Sequence, residues 1–436
     1  MSFKVDKQTL DDLMIFGRAN TRSVFEIFNH THSRGAMRLL DDMFRHLLSD
    51  DAVIRKRVDS IAFFFDHPVE FVFEGQMFDA LEFYLSNTDR RTQLTENENN
   101  VSRKLQNVLG KDTDYGWIQR GILGCLELLN RLKVFLDKLQ QNQYPDVDKR
   151  CAELRDLLEI EEWKWYPEYE GKKKISMAQA VKLDQVFRFS LRDKLLRILN
   201  HIFNFDVYIS VANVARERGY SFPEVRPAED VCLELKGVYH PLLEKPVAND
   251  LKMDIDANVI FLTGANMAGK STMMKTLSIA LFLAHMGFPV PAKSMTFSVR
   301  NGMFTTINLP DSLNRGYSHF YTEVMRVKKV GEALQSTGRL IVLFDELFRG
   351  TNVKDAYDAT YAVTSALAKR HACSFMISTH IIEVGHELGK NCDNATFAYL
   401  PTVMNGSVPT YTYKLEPGIT NDKHGMIIIN NERIVE

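Results

Sequence analysis

From Phe3 to about Arg218 apolar residues recur every three to four positions, the period of helices that turn one face to a core. Leu10, Leu13, Met14 and Phe16 begin the pattern. Val24, Phe25, Ile27 and Phe28, then Ala36, Leu39, Leu40, Met43 and Leu47, continue it. The spacing predicts two long amphipathic helices, Ile118–Leu139 and Met177–Phe203. Between them, residues 140–176 are polar and charged, with Trp163, Trp165 and Tyr166 close to the run Lys172-Lys173-Lys174. That stretch predicts a helical tip or loop. Residues 93–100 read as a polar linker.

After Pro223 the texture changes. Val259–Leu262 is a short apolar run that ends at a glycine-rich turn, and a helix is predicted over Ser271–His285. Leu340–Phe344 and Ser374–Ser378 are two more buried-strand runs. Strands alternating with helices indicate a mostly parallel sheet covered on both faces. The expected fold class is therefore multidomain, with an all-α part over residues 1–233 and an α/β part over residues 234–436. The stretch Thr276–Ala292 is uncharged, but Pro289 and Pro291 interrupt it and it is too short for a membrane span. It predicts a buried helix running into a buried strand. The opening residues, MSFKVDKQTLDD, lack the apolar core of a secretory leader.

Composition narrows the function classes. The chain has 436 residues, 45% hydrophobic and 25% charged, with a net charge of −2. Residues 1–233 carry 34 basic and 37 acidic groups, and residues 234–436 carry 20 and 19. Neither part is basic enough to hold nucleic acid by bulk charge, so any such contact needs a local patch. Cys125, Cys151, Cys232, Cys373 and Cys392 are scattered and without C-x-x-C spacing, as expected of reduced thiols in a cytoplasmic protein.

The chemistry is concentrated after residue 260. Gly264-Ala265-Asn266-Met267-Ala268-Gly269-Lys270-Ser271, followed by Thr272, matches the phosphate-binding pattern G-x-x-x-x-G-K-[ST]. The glycines let backbone N–H groups converge on phosphate oxygens, and the following helix adds its positive end. Lys270 is expected at the β- and γ-phosphates of ATP and Ser271 at Mg²⁺. Asp345 and Glu346 end a buried strand, where ligands bind in open α/β sheets. Asp345 is expected to hold Mg²⁺, and Glu346 to orient or deprotonate the attacking water. His380 ends a third strand and is expected either to sense the γ-phosphate or to be structural.

The segments GANMAGKST, SHFYTE (Ser318–Glu323), DELFRGTN (Asp345–Asn352) and STH (Ser378–His380) resemble, in order and spacing, the ATPase domain of the MutS family of DNA mismatch repair. Tyr239-His240-Pro241 and Ala248-Asn249 match its nucleotide-side segment, and Asn266 is a trait of that family. Residues 1–233 resemble its core and lever domain, with Thr31, Gly35 and Arg38-Leu39-Leu40 at a turn. The resemblance implies an ABC-like P-loop ATPase that works as a homodimer through its ATPase domains. It places Ser318 in trans on the partner's γ-phosphate, His240 beside the nucleotide and Asp355 at the dimer interface. Arg349 is left as either an interface or a salt-bridge residue. DNA is the implied partner, with the tip near Lys172–Lys174 as its contact, and no membrane is implied. The alternative is a nucleotide-switched dimer that binds a protein partner without touching DNA.

Departures from the family shape the expectation. By the resemblance the chain is expected to start within the core domain and to have a tip shorter than the family's DNA clamp, and Phe348 stands where the family usually has glycine. No Phe-x-Glu wedge is found in a suitable place, so mismatch selectivity is not expected of this chain alone.

Overall fold

A computed structural model describes residues 3–17, 21–94, 113–139, 144–307, 319–405 and 408–420. The described chain forms two compact units. One comprises residues 1–28, 43–58 and 214–436; the other comprises residues 29–42 and 59–213. These packing units differ from the division by periodicity at residues 233 and 234.

The first unit holds all the sheets among the described residues. Its strands, in chain order, are β1 (Lys4–Val5), β2 (Glu224–Arg226), β3 (Cys232–Val238), β4 (Asn249–Asp254), β5 (Val259–Gly264), β6 (Ser294–Ser298), β7 (Gly302–Thr306), β8 (Leu340–Phe344), β9 (Ser374–Ser378), β10 (Ala395–Leu400), β11 (Thr402–Asn405), β12 (Val408–Tyr411) and β13 (Glu416–Pro417). The main sheet runs β1-β7-β8-β9-β5-β10-β13. It is parallel apart from β13, which pairs antiparallel with β10. A second sheet runs β2-β6-β3-β4, and β11–β12 is a hairpin. Every residue of β5, β8 and β9 is buried, which is why these strands read as unbroken apolar runs.

The helices are α1 (Lys7–Asp12), α2 (Val24–Phe28), α3 (Arg34–Arg45), α4 (Asp51–Asp66), α5 (Gly75–Ser86), α6 (Thr113–Lys138), α7 (Pro145–Leu158), α8 (Met177–Asp184), α9 (Arg192–Arg218), α10 (Lys270–His285), α11 (His319–Ser336), α12 (Val353–Ala368) and α13 (Ile382–Asn391). Among them α10, α12 and α13 follow β5, β8 and β9 as crossover helices. Val384 and Leu388 of α13 pack with Phe261, Phe375 and Ile377 in one core cluster. No helix among the described residues is long and apolar enough to cross a membrane.

Several expectations change in detail. Lys4 and Val5 form a strand beside Gly302 and Met303, where the apolar spacing predicts helix. The expected helix Met177–Phe203 is broken: α8 passes into a π-helical segment, Gln185–Ser190, before α9 begins. The stretch after α10 makes only an isolated bridge, Ser221 to Val290, before β6. The expected tip contains α7 and two 3₁₀ turns, Glu161–Trp163 and Tyr166–Tyr169. Residues 95–100 of the expected linker and 140–143 of the tip lie outside the described residues.

Candidate active site

The site is built where β5, β8 and β9 end side by side. Gly264 closes β5, and the glycine-rich loop leads into α10 at Lys270. Gly269 has φ +102°, a conformation that favours glycine, and a Cβ there would lie a tight 3.1 Å from Cδ1 of Tyr413. Met267 at the loop tip also has a positive φ, +67°, and is 80% exposed. A cavity of about 620 Å³ opens beside the loop. Residues 265–267 and 269–273 line it, together with Glu346 and Leu400. His240, Leu243, Val247, Asn249 and Tyr413 also line it.

The polar groups converge. Lys270 is buried, and its Nζ donates to the backbone oxygens of Gly264 at 2.9 Å and Ala265 at 3.1 Å. Burial pulls its pKa down, opposed by Glu346 and Asp345. Ser271 Oγ donates to Asp345 Oδ2 at 2.5 Å. Ser378 Oγ donates to the other carboxylate oxygen, Asp345 Oδ1. His380 Nε2 meets Glu346 Oε1 at 2.5 Å, and Arg349 Nη1 donates to Glu346 Oε2 at 3.0 Å. The hydrogen bond from His380 holds the Glu346 carboxyl down at about 2, against the opposing effect of burial. His240 is pushed down to about 4 by burial and by Lys275, so its ring is neutral at pH 7; its Nδ1 accepts from Leu242 N–H at 3.3 Å.

The turn after β8 is strained. Glu346 has φ +52° and Phe348 +62°, both in the left-handed region. Leu347 and Phe348 are buried in the core, and the Phe348 ring lies 5.9 Å from that of Phe320 on α11. These anchors hold the turn so that Glu346 faces the cavity.

The structure thus brings Gly264–Thr272, Asp345, Glu346, His380 and His240 to one end of the sheet. Ser318 lies outside the described residues. Arg349 forms an ion pair with Glu346 inside the protomer. Asp355 stands at the start of α12, where its N–H donates to the capping Asn352 at 3.0 Å. Three residues were not selected as site residues from the sequence: Tyr413, Asn249 and Ser378. Asn249 was visible beside Ala248, and Ser378 within STH. Tyr413 has no local signal. It reaches the cavity through sheet order, and Asn249 fixes its left-handed backbone (φ +54°) by donating to Tyr413 O at 3.0 Å and accepting from Leu415 N–H at 2.7 Å.

Around Trp163 the structure corrects the expected contact surface. Trp163 is fully buried and donates through Nε1 to Leu157 O at 2.8 Å, and Tyr166 is also buried. Neither can stack on a base. Lys172–Lys174 are exposed, with Lys172 Nζ 4.4 Å from the Tyr169 ring centre.

Residues 260–434 match the family model of MutS domain V. Over this domain the chain is similar to the MutS family. It is 33% identical over 230 residues to the mouse MutS protein homolog 4, which covers 50% of this chain and 23% of that protein. It is 28% identical over 240 residues to the DNA mismatch repair protein MutS of Persephonella marina, covering 54% of this chain and 27% of that one. The MutS-like stretch therefore spans about a quarter of the length of these curated relatives.

Proposed function

We propose that this protein binds ATP·Mg²⁺ and hydrolyses it, as a P-loop ATPase of the ABC-like kind joined to a helical core and lever. The observation that carries the reading is the meeting of Lys270, Ser271, Asp345, Glu346 and His380 at the edge of one cavity. The loop N–H groups and Lys270 take the phosphates. His240 and Tyr413 line the same cavity and are the aromatic groups available to the base.

The donor set fits Mg²⁺. Ser271 and Asp345 present hard oxygens 2.5 Å apart, and no cluster of three or more His, Cys, Asp or Glu occurs among the described residues that could hold a metal alone. An ion that keeps waters and shares phosphate oxygens matches this sparse protein shell. Ser271 and Asp345 would hold it, and when bound it neutralises charge on the phosphates.

Glu346 is the base, yet it is tied down at rest. With His380 and Arg349 on its two oxygens and a pKa of about 2, it is a weak proton acceptor. Moving the His380 N–H to a γ-phosphate oxygen frees the carboxylate and returns its pKa toward the ordinary value. Hydrolysis is therefore slow until nucleotide rearranges the pair. Lys270→Ala should weaken ATP binding about tenfold or more, the worth of one or two charged hydrogen bonds. Glu346→Gln should bind ATP and slow hydrolysis by about 10²–10⁴. Wild-type turnover by Glu346→Gln would remove Glu346 as base.

The protein works as a dimer through its ATPase domains and is linked to DNA mismatch repair or recombination; of these, the name of one relative, a DNA mismatch repair protein, supports the repair link. One observation favours the alternative of a protein partner without DNA. Glu159, Glu161, Glu162, Glu168 and Glu170 lie among Lys164 and Lys172–Lys174, and Lys164 already pairs with Glu161 at 2.6 Å. Titration of labelled duplex, branched and single-stranded DNA at several salt concentrations, with and without ATP, separates the two. Binding that falls steeply with salt supports DNA, and none at low salt supports the protein partner.

A further inference from the structure

Ser378 ends β9 next to the end of β8, where Phe344 pairs with Ile377. Its side chain is fully buried. A hydroxyl has one proton to give and lone pairs to receive. Here the proton goes to Asp345 Oδ1, and a lone pair takes the Glu346 N–H at 3.1 Å. The Ser378 carbonyl takes the same N–H, also at 3.1 Å. Both directions of the hydroxyl are therefore assigned, and its rotor is locked between the two acidic residues of the site.

The Asp345 carboxylate is in turn held from two sides, with Ser271 of α10 on Oδ2 and Ser378 of β9 on Oδ1. Take away the second and the carboxylate can turn about its own axis. The Glu346 N–H matters for a different reason. That residue sits at φ +52°, a conformation that a non-glycine residue keeps only when neighbours hold it there. Two oxygens of a single residue supply that hold.

We propose that Ser378 is a positioning residue for both carboxylates, its hydroxyl aiming Asp345 at the metal and fixing the turn that presents Glu346. This rests on the reading of the cavity as an ATP·Mg²⁺ site. Groups that orient a metal-binding carboxylate without touching the metal set its affinity, and their loss costs about 10–100-fold.

The test is equilibrium binding of ATP by titration calorimetry, in excess EDTA and in saturating Mg²⁺, for the wild type, Ser378→Ala and Ser378→Thr. In Ser378→Ala the metal-free affinity should stay within about twofold, while the gain from Mg²⁺ falls about tenfold. Ser378→Thr keeps the hydroxyl and should restore most of that gain. A full Mg²⁺ gain in Ser378→Ala would overturn the proposal while leaving the ATPase reading intact. So would equal losses with and without metal, which mark general damage to the pocket, or a Thr variant no better than Ala. A wild-type protein with no Mg²⁺ gain would overturn the ATP·Mg²⁺ reading, and the proposal with it.

Discussion

Phe348 shows how a single position trades strain against packing. Its backbone is left-handed (φ +62°), a conformation that costs a residue with a Cβ about 1–2 kcal/mol. Its ring is 3% exposed and packs against Phe320. Removing a buried phenylalanine ring costs about 3–5 kcal/mol, so packing outweighs strain and the bulky residue is kept. Two substitutions separate the effects. Phe348→Ala loses the ring and keeps the strain, whereas Phe348→Gly loses the ring and relieves it. Denaturant unfolding should therefore find both variants less stable than wild type, with the glycine variant ahead of the alanine variant by about 1 kcal/mol. Equal stabilities would mean that the turn stores no strain. The residue could be picked out in the sequence as a departure from glycine. Its left-handed backbone, which explains why glycine suits the position, is visible only in the fold.

At the scale of elements, two buried polar clusters hold the helical unit. At the π-helical segment, Arg188 donates to both carboxylate oxygens of Asp184, at 2.8 and 2.6 Å, with both side chains fully buried; Tyr84 Oη adds a third bond at 2.8 Å. Asp184→Ala leaves a buried guanidinium unpaired and should cost about 3–5 kcal/mol in unfolding free energy. A loss under about 1 kcal/mol would show that water reaches the site and compensates. At the start of α3, buried Asp206 accepts from the N–H groups of His32 and Ser33 and from His32 Nδ1 at 2.9 Å. The hydrogen bond to Asp206 raises the His32 pKa above its unfolded value. The pairing should thus be fully present below about pH 6.5 and lost as pH rises through the raised value. His32→Gln should narrow the stability difference between pH 6 and pH 8.5, and an unchanged difference would clear His32 of the effect. Neither cluster is legible in the sequence, because the partners of Asp206 lie more than 170 positions away and the π-helical break keeps the apolar rhythm going. Strands buried on both faces, such as Leu340–Phe344, were legible for the opposite reason: each carries its own signal. Lys4–Val5 carries none, since its partner strand alone makes it a strand. The glycine-rich loop and the acidic pair were legible because their chemistry is local, whereas Tyr413 depends on which strand neighbours β5.

For the whole molecule, the decisive question is whether one chain makes a complete site. Within the described residues of a protomer, Lys270, Ser271 and Glu346 line the cavity, with Asp345 hydrogen-bonded to Ser271 and His380 to Glu346, and exposed Leu243 and Met267 line it as well. Tyr321 and Met325 of α11 and Val353 of α12 are also exposed apolar side chains. In the proposed dimer each site takes Lys270 from one chain and Ser318 from the other, and subunit mixing tests this directly. Lys270→Ala and Ser318→Ala proteins should each be nearly inactive as homodimers. In a mixed dimer one site lacks both groups, while the other keeps its own Lys270 and receives the Ser318 of the Lys270→Ala chain. Random exchange puts half the dimers in that state, so about a quarter of wild-type hydrolysis should return. The mixture should be checked for mixed dimers by mass before its rate is read. No return of activity in demonstrated mixed dimers would place Ser318 outside the partner's site. Full activity of Ser318→Ala alone would make the site complete within one chain, and the dimer would then need another purpose.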